Sequence, residues 1–167
     1  VTFKTLDSVS AVRVRTILAE CDPKTTLIIQ SSKSGGTIEP TLVMKAVRTI
    51  LAETLPEEEI PSHLIAITDP GSELEARAKE EGWAKVFSGE PTVGGRYSAL
   101  SVFGLVPAAL VGIDIKKVME SARNAEELCS TDDLDNPASN LAAFLFDNYK
   151  NGRDKFSFFT PKRGRVL

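Results

Sequence analysis

The feature that most constrains this chain is the succession of three unlike segments between Leu27 and Leu51. Leu27-Ile28-Ile29 is an unbroken apolar run, as expected of a strand buried on both faces. A polar, glycine-rich stretch follows at once, Gln30-Ser31-Ser32-Lys33-Ser34-Gly35-Gly36-Thr37. Leu42, Val43, Ala46, Val47, Ile50 and Leu51 then recur at helical spacing until Leu55-Pro56. A strand, a tight loop and a helix in that order form half of a crossover, and a crossover needs a second strand parallel to the first. His63-Leu64-Ile65-Ala66-Ile67 supplies it. The pattern then repeats: a Thr68-Asp69-Pro70-Gly71-Ser72 turn with Ser72 as N-cap, a charged helix from Glu73 to Gly82, and a strand at Ala84-Lys85-Val86-Phe87.

The flanking sequence extends this plan. Thr2 to Leu6 is compatible with a short strand, after which Asp7-Ser8 caps a helix carrying Val9, Val12, Ile17 and Leu18 and ending near Asp22-Pro23. Ser88 to Gly95 reads as a loop. Tyr97 to Val111 is apolar nearly all round and predicts a buried helix. Asp114 is placed to cap a helix over Ile115 to Cys129. Asn136-Pro137 opens another, with Leu141, Phe144, Leu145 and Tyr149 on its apolar face. Phe156-Ser157-Phe158-Phe159 fits a terminal strand. Alternating strands and helices predict an α/β fold, a three-layer sandwich with a mostly parallel sheet of flavodoxin-like type, as a single domain over residues 1–167.

Charge and composition narrow the function. The net charge of −3 gives no electrostatic basis for binding nucleic acid, and Lys162-Arg163 with Arg165 reads as a solvated tail. No apolar run approaches the roughly eighteen residues that cross a bilayer, and the N-terminus has no signal-peptide pattern. Two distant cysteines, Cys21 and Cys129, fit reduced thiols in a cytoplasmic protein. One histidine, His63, cannot build a multi-histidine metal site, and its position before a strand favours a packing role over a base. Asp132, Asp133 and Asp135 read as solvated. Neither a metal nor a cofactor is expected. The chain does not begin with Met, which fits a piece of a longer protein.

Two segments point to chemistry. Ligands of open α/β sheets bind beyond the carboxyl ends of the strands. Gln30 to Thr37 lies at such an end and holds four hydroxyls, on Ser31, Ser32, Ser34 and Thr37. Gly35 and Gly36 let the backbone turn its amides inward, the following helix N-terminus favours anions, and Lys33 can add charge. The order GxxxxGK[ST] is absent, so this is not a Walker loop. The alternative is a Ser/Gly-rich loop that only caps a helix. Gly94-Gly95-Arg96-Tyr97-Ser98 is the second segment. An arginine at a helix start opposes the helix dipole, which favours a functional guanidinium aimed at a phosphate or an oxyanion over a decorative one.

These residues resemble a known family. Ser32-Lys33-Ser34-Gly35-Gly36-Thr37-Ile38-Glu39 is similar to the Ser-Lys-Thr-x-Thr-Thr-x-Glu phosphate loop of phosphoglucose isomerases. Gly94-Gly95-Arg96-Tyr97-Ser98, with Ser101 and Gly104-Leu105, resembles their Gly-Gly-Arg-[Phe/Tyr]-Ser signature. The order and separation of the two motifs match as well, and the likeness covers most of the chain. It implies a sugar-isomerase (SIS) domain with a five-stranded parallel sheet, and more narrowly the isomerase half of a bifunctional transaldolase/phosphoglucose isomerase. It implies a hexose 6-phosphate as ligand and a homodimer as assembly. Ser32, Lys33 (through its backbone), Ser34 and Thr37 would hold the phosphate. Arg96 would stabilise the cis-enediolate, with Gly95 and Glu39 as secondary pocket residues. Ser34 stands for the usual Thr and keeps the hydroxyl, Gly36 stands where the motif has Thr and loses one, and Pro91 replaces an acidic or small residue.

The resemblance also implies parts not found in these residues: an upstream Gly-Gly-Ser motif on a strand, and a glutamate base, a ring-opening histidine and a late lysine downstream. Glu120, Glu126 and Glu127 match none of these, so the chain alone is expected to be inactive or nearly so. The absent strand would lie between Thr2–Leu6 and Leu27–Ile29, an open slot to be closed by re-pairing or by dimerisation. Two other readings stand beside the isomerase. One is a non-catalytic SIS sensor module, which needs the phosphate loop but not Arg96. The other is an unrelated flavodoxin-like domain, disfavoured by the lack of an aromatic platform for a flavin near the loop.

Overall fold

A computed structural model describes residues 1–157. Three strands, β1 (Ile28–Ser31), β2 (Leu64–Thr68) and β3 (Lys85–Ser88), form a parallel sheet in the order β1-β2-β3. Ile28 pairs with Leu64 and Ser31 with Ile67, while Ile65 pairs with Lys85 and Thr68 with Ser88. Six α-helices accompany them among the described residues: α1 (Ala11–Ala19), α2 (Ile38–Ala52), α3 (Glu73–Glu80), α4 (Val102–Leu110), α5 (Ile115–Cys129) and α6 (Pro137–Lys150). The chain divides into two compact units, Val1–Ile115 and Lys116–Leu167.

The first unit holds the sheet and its core. Both crossovers step the same way across the sheet, so right-handed connections put α2 and α3 on one face. On that face Leu64 and Ala66 of β2 meet Val47 and Leu51 of α2, Leu74 and Ala78 of α3, and Val14 and Leu18 of α1. Ile65 and Ile67 point the other way by strand alternation and are buried too. Helix α4 packs on β2 and supplies the third layer. All five residues of β2 are buried, which is why that strand reads as a continuous apolar run. Helix α3 starts at Ser72, whose hydroxyl accepts from the Glu75 amide at 3.1 Å. It ends at Gly82, with φ at +70°.

Several expectations need correction. Residues 2–6 form no strand; Leu6 packs against the core, but the backbone finds no neighbour to pair with. The sheet therefore has no open central slot among the described residues: β1, β2 and β3 are contiguous and β1 is an edge. Only three strands are present there rather than five. The single buried helix expected over Tyr97–Val111 is two elements, a 3-10 stretch over Gly95–Leu100 and then α4. Ser101 breaks them apart with an extended backbone, and its hydroxyl accepts from Phe103 N at 3.3 Å. Helix α4 is half-buried, not fully buried.

The second unit carries α5 and α6. Its buried centre among the described residues is polar. Asn136 caps α6, its carbonyl accepting from Ala138 N and Ser139 N at 2.8 and 3.2 Å while its amide donates to the Cys129 and Thr131 carbonyls. The Leu141, Phe144, Leu145 and Tyr149 stripe of α6 is exposed, with the Phe144 ring edge-on to Phe156 at 6.4 Å. Phe156 and Ser157 form no strand; Phe158, Phe159 and the basic Lys162-Arg163…Arg165 tail lie outside the described residues. Asp132, Asp133 and Asp135 are exposed, and no metal-binding cluster occurs among the described residues. No helix among them is long and apolar enough to cross a membrane.

Candidate phosphate site

The carboxyl ends of the three strands deliver three loops side by side. β1 hands over to Ser32–Thr37, β2 to Asp69–Ser72 and β3 to Gly89–Gly94. The backbone ladder runs past the strand ends: Ser32 N donates to Ile67 O at 3.0 Å, Asp69 N to Lys33 O at 3.0 Å, and Gly89 N to Thr68 O at 2.7 Å. The Thr68 hydroxyl also donates to Lys33 O and lies 2.6 Å from the Ser72 hydroxyl. The loop bases are thus fixed to the sheet rather than floating above it.

Within the first loop Gly35 adopts φ +71° and is buried. A side chain there would place its Cβ 2.5 Å from Leu74 N, so only glycine lets the loop dock on the start of α3. The Ser32 hydroxyl accepts from Gly35 N at 3.2 Å and the Ser34 hydroxyl from Gly36 N at 3.4 Å. Each hydroxyl accepts through a lone pair and keeps its proton to donate to a ligand. Thr37 is the N-cap residue of α2, but its side chain makes no cap bond. The first amides of α2 are consequently not capped by it and remain available to an anion. Ser34 and Thr37 are exposed and Ser32 half-buried, so the loop presents its polar groups outward. Glu39 sits in the first turn of α2, exposed.

The Lys33 side chain, which the sequence left free to add charge to the loop, is already engaged. Its ammonium is not open to a ligand. It lies 2.9 and 3.0 Å from the two Asp69 carboxylate oxygens and donates to the Glu90 carbonyl at 3.1 Å. It also sits 5.4 Å from the centre of the Phe103 ring. Its side chain passes 3.8 Å from where a Cβ on Gly95 would stand. The two motifs picked out in sequence are thereby brought together through Lys33. Arg96, next to Gly95, is exposed and has no hydrogen bond or ion pair to the described residues. Beside this cluster, Thr92 donates to the Glu90 carboxylate from its hydroxyl at 2.8 Å and its amide at 3.1 Å. Those bonds hold the Glu90 carboxyl below the ordinary glutamate range, with a smaller pull from Lys33.

Asp69, Glu90 and Phe103 were not picked out in sequence. Asp69 looked like turn chemistry, yet it follows β2 at the same carboxyl edge as the Ser32–Thr37 loop, and that was the available signal. His63 does pack as expected: its Nδ1 is 2.9 Å from Thr26 O, away from the loops. Cys21 and Cys129 are free thiols.

A parallel α/β sheet with a hydroxyl-rich loop opening a helix, and beside it an arginine unpaired among the described residues, defines an α/β domain with a candidate anion site at its carboxyl edge. Sequence comparison makes the assignment specific. The chain matches phosphoglucose isomerase over residues 1–156, and it belongs to that family. A glucose-6-phosphate isomerase of Synechococcus sp. (strain JA-2-3B'a(2-13)) is 45% identical over 85% of this chain and 26% of that protein. One from Desulfitobacterium hafniense (strain Y51) is 36% identical over 84% of this chain and 26% of that protein. A hypothetical protein of Thermus thermophilus superposes with a TM-score of 0.81 at 34% identity, over 86% of this chain and 34% of that one. A glucose-6-phosphate isomerase from Chlamydia trachomatis gives 0.52 at 29% identity, over 60% and 19%. The chain thus spans about a quarter of the length of the Synechococcus and Desulfitobacterium relatives.

Proposed function

We propose that this chain is the phosphate-holding and oxyanion-stabilising part of an aldose–ketose isomerase that interconverts glucose 6-phosphate and fructose 6-phosphate. The 6-phosphate sits over the Ser32–Thr37 loop, taking hydroxyl protons from Ser32, Ser34 and Thr37, the Lys33 amide and the free amides of α2. Neutral donors suit a ligand that must leave after each turnover. Arg96 faces the reacting end of the sugar. When the C2 proton of the open-chain aldose is removed, negative charge builds on the oxygens of the cis-enediolate, and a fixed guanidinium stabilises that charge more than it stabilises the ground state. The proton-transferring base is not among the groups gathered at this site, where Asp69 is already tied to Lys33 and Glu39 is exposed on α2. The chain alone is therefore expected to bind but not to turn over substrate.

The observation that carries this reading is an arginine with no partner among the described residues, next to a glycine at which a Cβ would stand 3.8 Å from Lys33 of the Ser32–Thr37 loop. Calorimetric titration with 6-phosphogluconate tests it. Ser34→Ala removes one donor to a charged group and should weaken binding about tenfold or more, corresponding to roughly 1.5–3 kcal/mol. Arg96→Ala should weaken it at least as much, with no loss of stability. Absence of binding at millimolar ligand would refute the reading. The edge of β1, unpaired among the described residues, supports a second proposal, that the protein assembles as a homodimer or pairs with further chain there. Sedimentation of a strictly monomeric chain at high concentration would count against the dimer.

A further inference from the structure

Resting on the phosphosugar reading above, we infer that the Lys33 side chain is a positioning residue: a strut, clamped by Asp69, that fixes the Gly94–Arg96 segment against the phosphate loop. The ammonium has three protons to give and is surrounded on three sides. The Asp69 carboxylate lies at 2.9 Å, the Glu90 carbonyl at 3.1 Å, and the Phe103 ring face at 5.4 Å. A lysine used to attract phosphate would leave its charge open, whereas this charge is neutralised by Asp69 and both side chains are mostly covered, at 26% and 18% exposure. The main chain of Lys33 is tied to the same turn, its carbonyl accepting from Asp69 N and the Thr68 hydroxyl. The aliphatic stem then passes beside Gly95, its Cδ 3.8 Å from where a Cβ there would stand, one residue before the guanidinium that must face the sugar.

The surroundings are shaped for this contact. A Cβ on Gly89 would stand 2.5 Å from both Asp69 Oδ1 and Phe103 Cε2, so the bare glycine lets the clamp and the ring converge. A surface ion pair would need no such accommodation. A hexose phosphate has to meet the phosphate loop and Arg96 together, while inorganic phosphate needs only the loop. The strut should therefore matter to the first ligand and not to the second.

The test measures both affinities in the same chain, with folding checked by Trp83 fluorescence. Lys33→Met should weaken 6-phosphogluconate by about tenfold or more and leave inorganic phosphate within about twofold, because misplacing one of two binding groups costs only the ligand that uses both. Lys33→Arg, which can still meet Asp69, should recover most of the loss, and Asp69→Asn should act in the same direction as Lys33→Met. Equal weakening of both ligands would show that Lys33 touches the phosphate directly and would overturn the inference. No change in either would overturn it too, as would failure of both Lys33→Met and Asp69→Asn to fold, which would make the pair a prop of the fold alone. Binding of neither ligand by the unaltered chain would instead bring down the phosphosugar reading itself.

Discussion

Replacing Gly35 by alanine is the sharpest probe of how the Ser32–Thr37 loop is held. Gly35 has φ +71°, a region where an L-residue pays about 1–2 kcal/mol. The new methyl would stand 2.5 Å from Leu74 N and 2.7 Å from Leu74 Cβ, and Leu74 is fully buried at the start of α3. Neither atom is the loose end of a flexible side chain, so the loop or the helix must shift, at about 1–3 kcal/mol for overpacking. A stiffer unfolded chain returns roughly 0.4–1 kcal/mol. The net expectation is a loss of about 1–5 kcal/mol. The single tryptophan, Trp83, is 7% exposed in the same unit and reports its unfolding. With a urea slope of about 1.5 kcal/mol/M, the midpoint should fall by roughly 1–3 M. Gly36→Ala is the control: its φ is ordinary and its nearest neighbour is Glu73 Oε2 at 3.7 Å, so its effect should stay within about 0.5 kcal/mol. Equal midpoints for the two variants would mean that the loop swings freely off α3, and the docking argument would fail.

Other expectations follow from the same geometry. Leu64→Ala opens a hole at a site with no exposed surface and should cost about 2–5 kcal/mol in the same urea assay. Ser72→Ala removes the cap of α3 and the Thr68 hydroxyl's neighbour, and should cost about 1–2 kcal/mol; a neutral result would show that water replaces the cap fully. Glu90 should titrate below the ordinary glutamate range by NMR. Its folded pKa is depressed, so its contribution to stability is present at neutral pH and fades as pH falls through that lowered value. Thr92→Val should move the titration upward, and an unchanged curve would discard the hydrogen-bond cause. Among the described residues of Lys116–Leu167 no apolar side chain is buried, so limited proteolysis should cut there before it cuts between residues 60 and 90.

The sequence carried much of this fold because β1, β2 and β3 and their helices obey local rules. Apolar runs ended at polar turns, Ser72 and Asn136 stood at true caps, and Ile115 to Cys129 was bounded as read. Residues 2–6 had the composition of a strand but no neighbour, and pairing is a tertiary fact that composition does not encode. The Tyr97–Val111 stretch kept helical hydrophobicity through a break at Ser101, where extended backbone and a hydroxyl cap restart the helix. At the site, the hydroxyls and glycines of the loop were visible because they lie together in sequence. What engages the Lys33 ammonium was not legible, because its partners, Asp69 and the Glu90 carbonyl, are 36 and 57 positions away.

Those separations bear on when the site comes into being as the chain folds. Lys33 meets Asp69 only after the α2 crossover has closed, and meets Glu90 only after the α3 crossover has closed as well. Contacts of long sequence separation bring their reward after the loop entropy has been lost, so they form late. A chain with α2 formed and β1 paired to β2, but β3 not yet docked, would own every hydroxyl of the phosphate loop and still lack a located Arg96. Ligand capture should therefore lag behind secondary structure in refolding and arrive with the last strand.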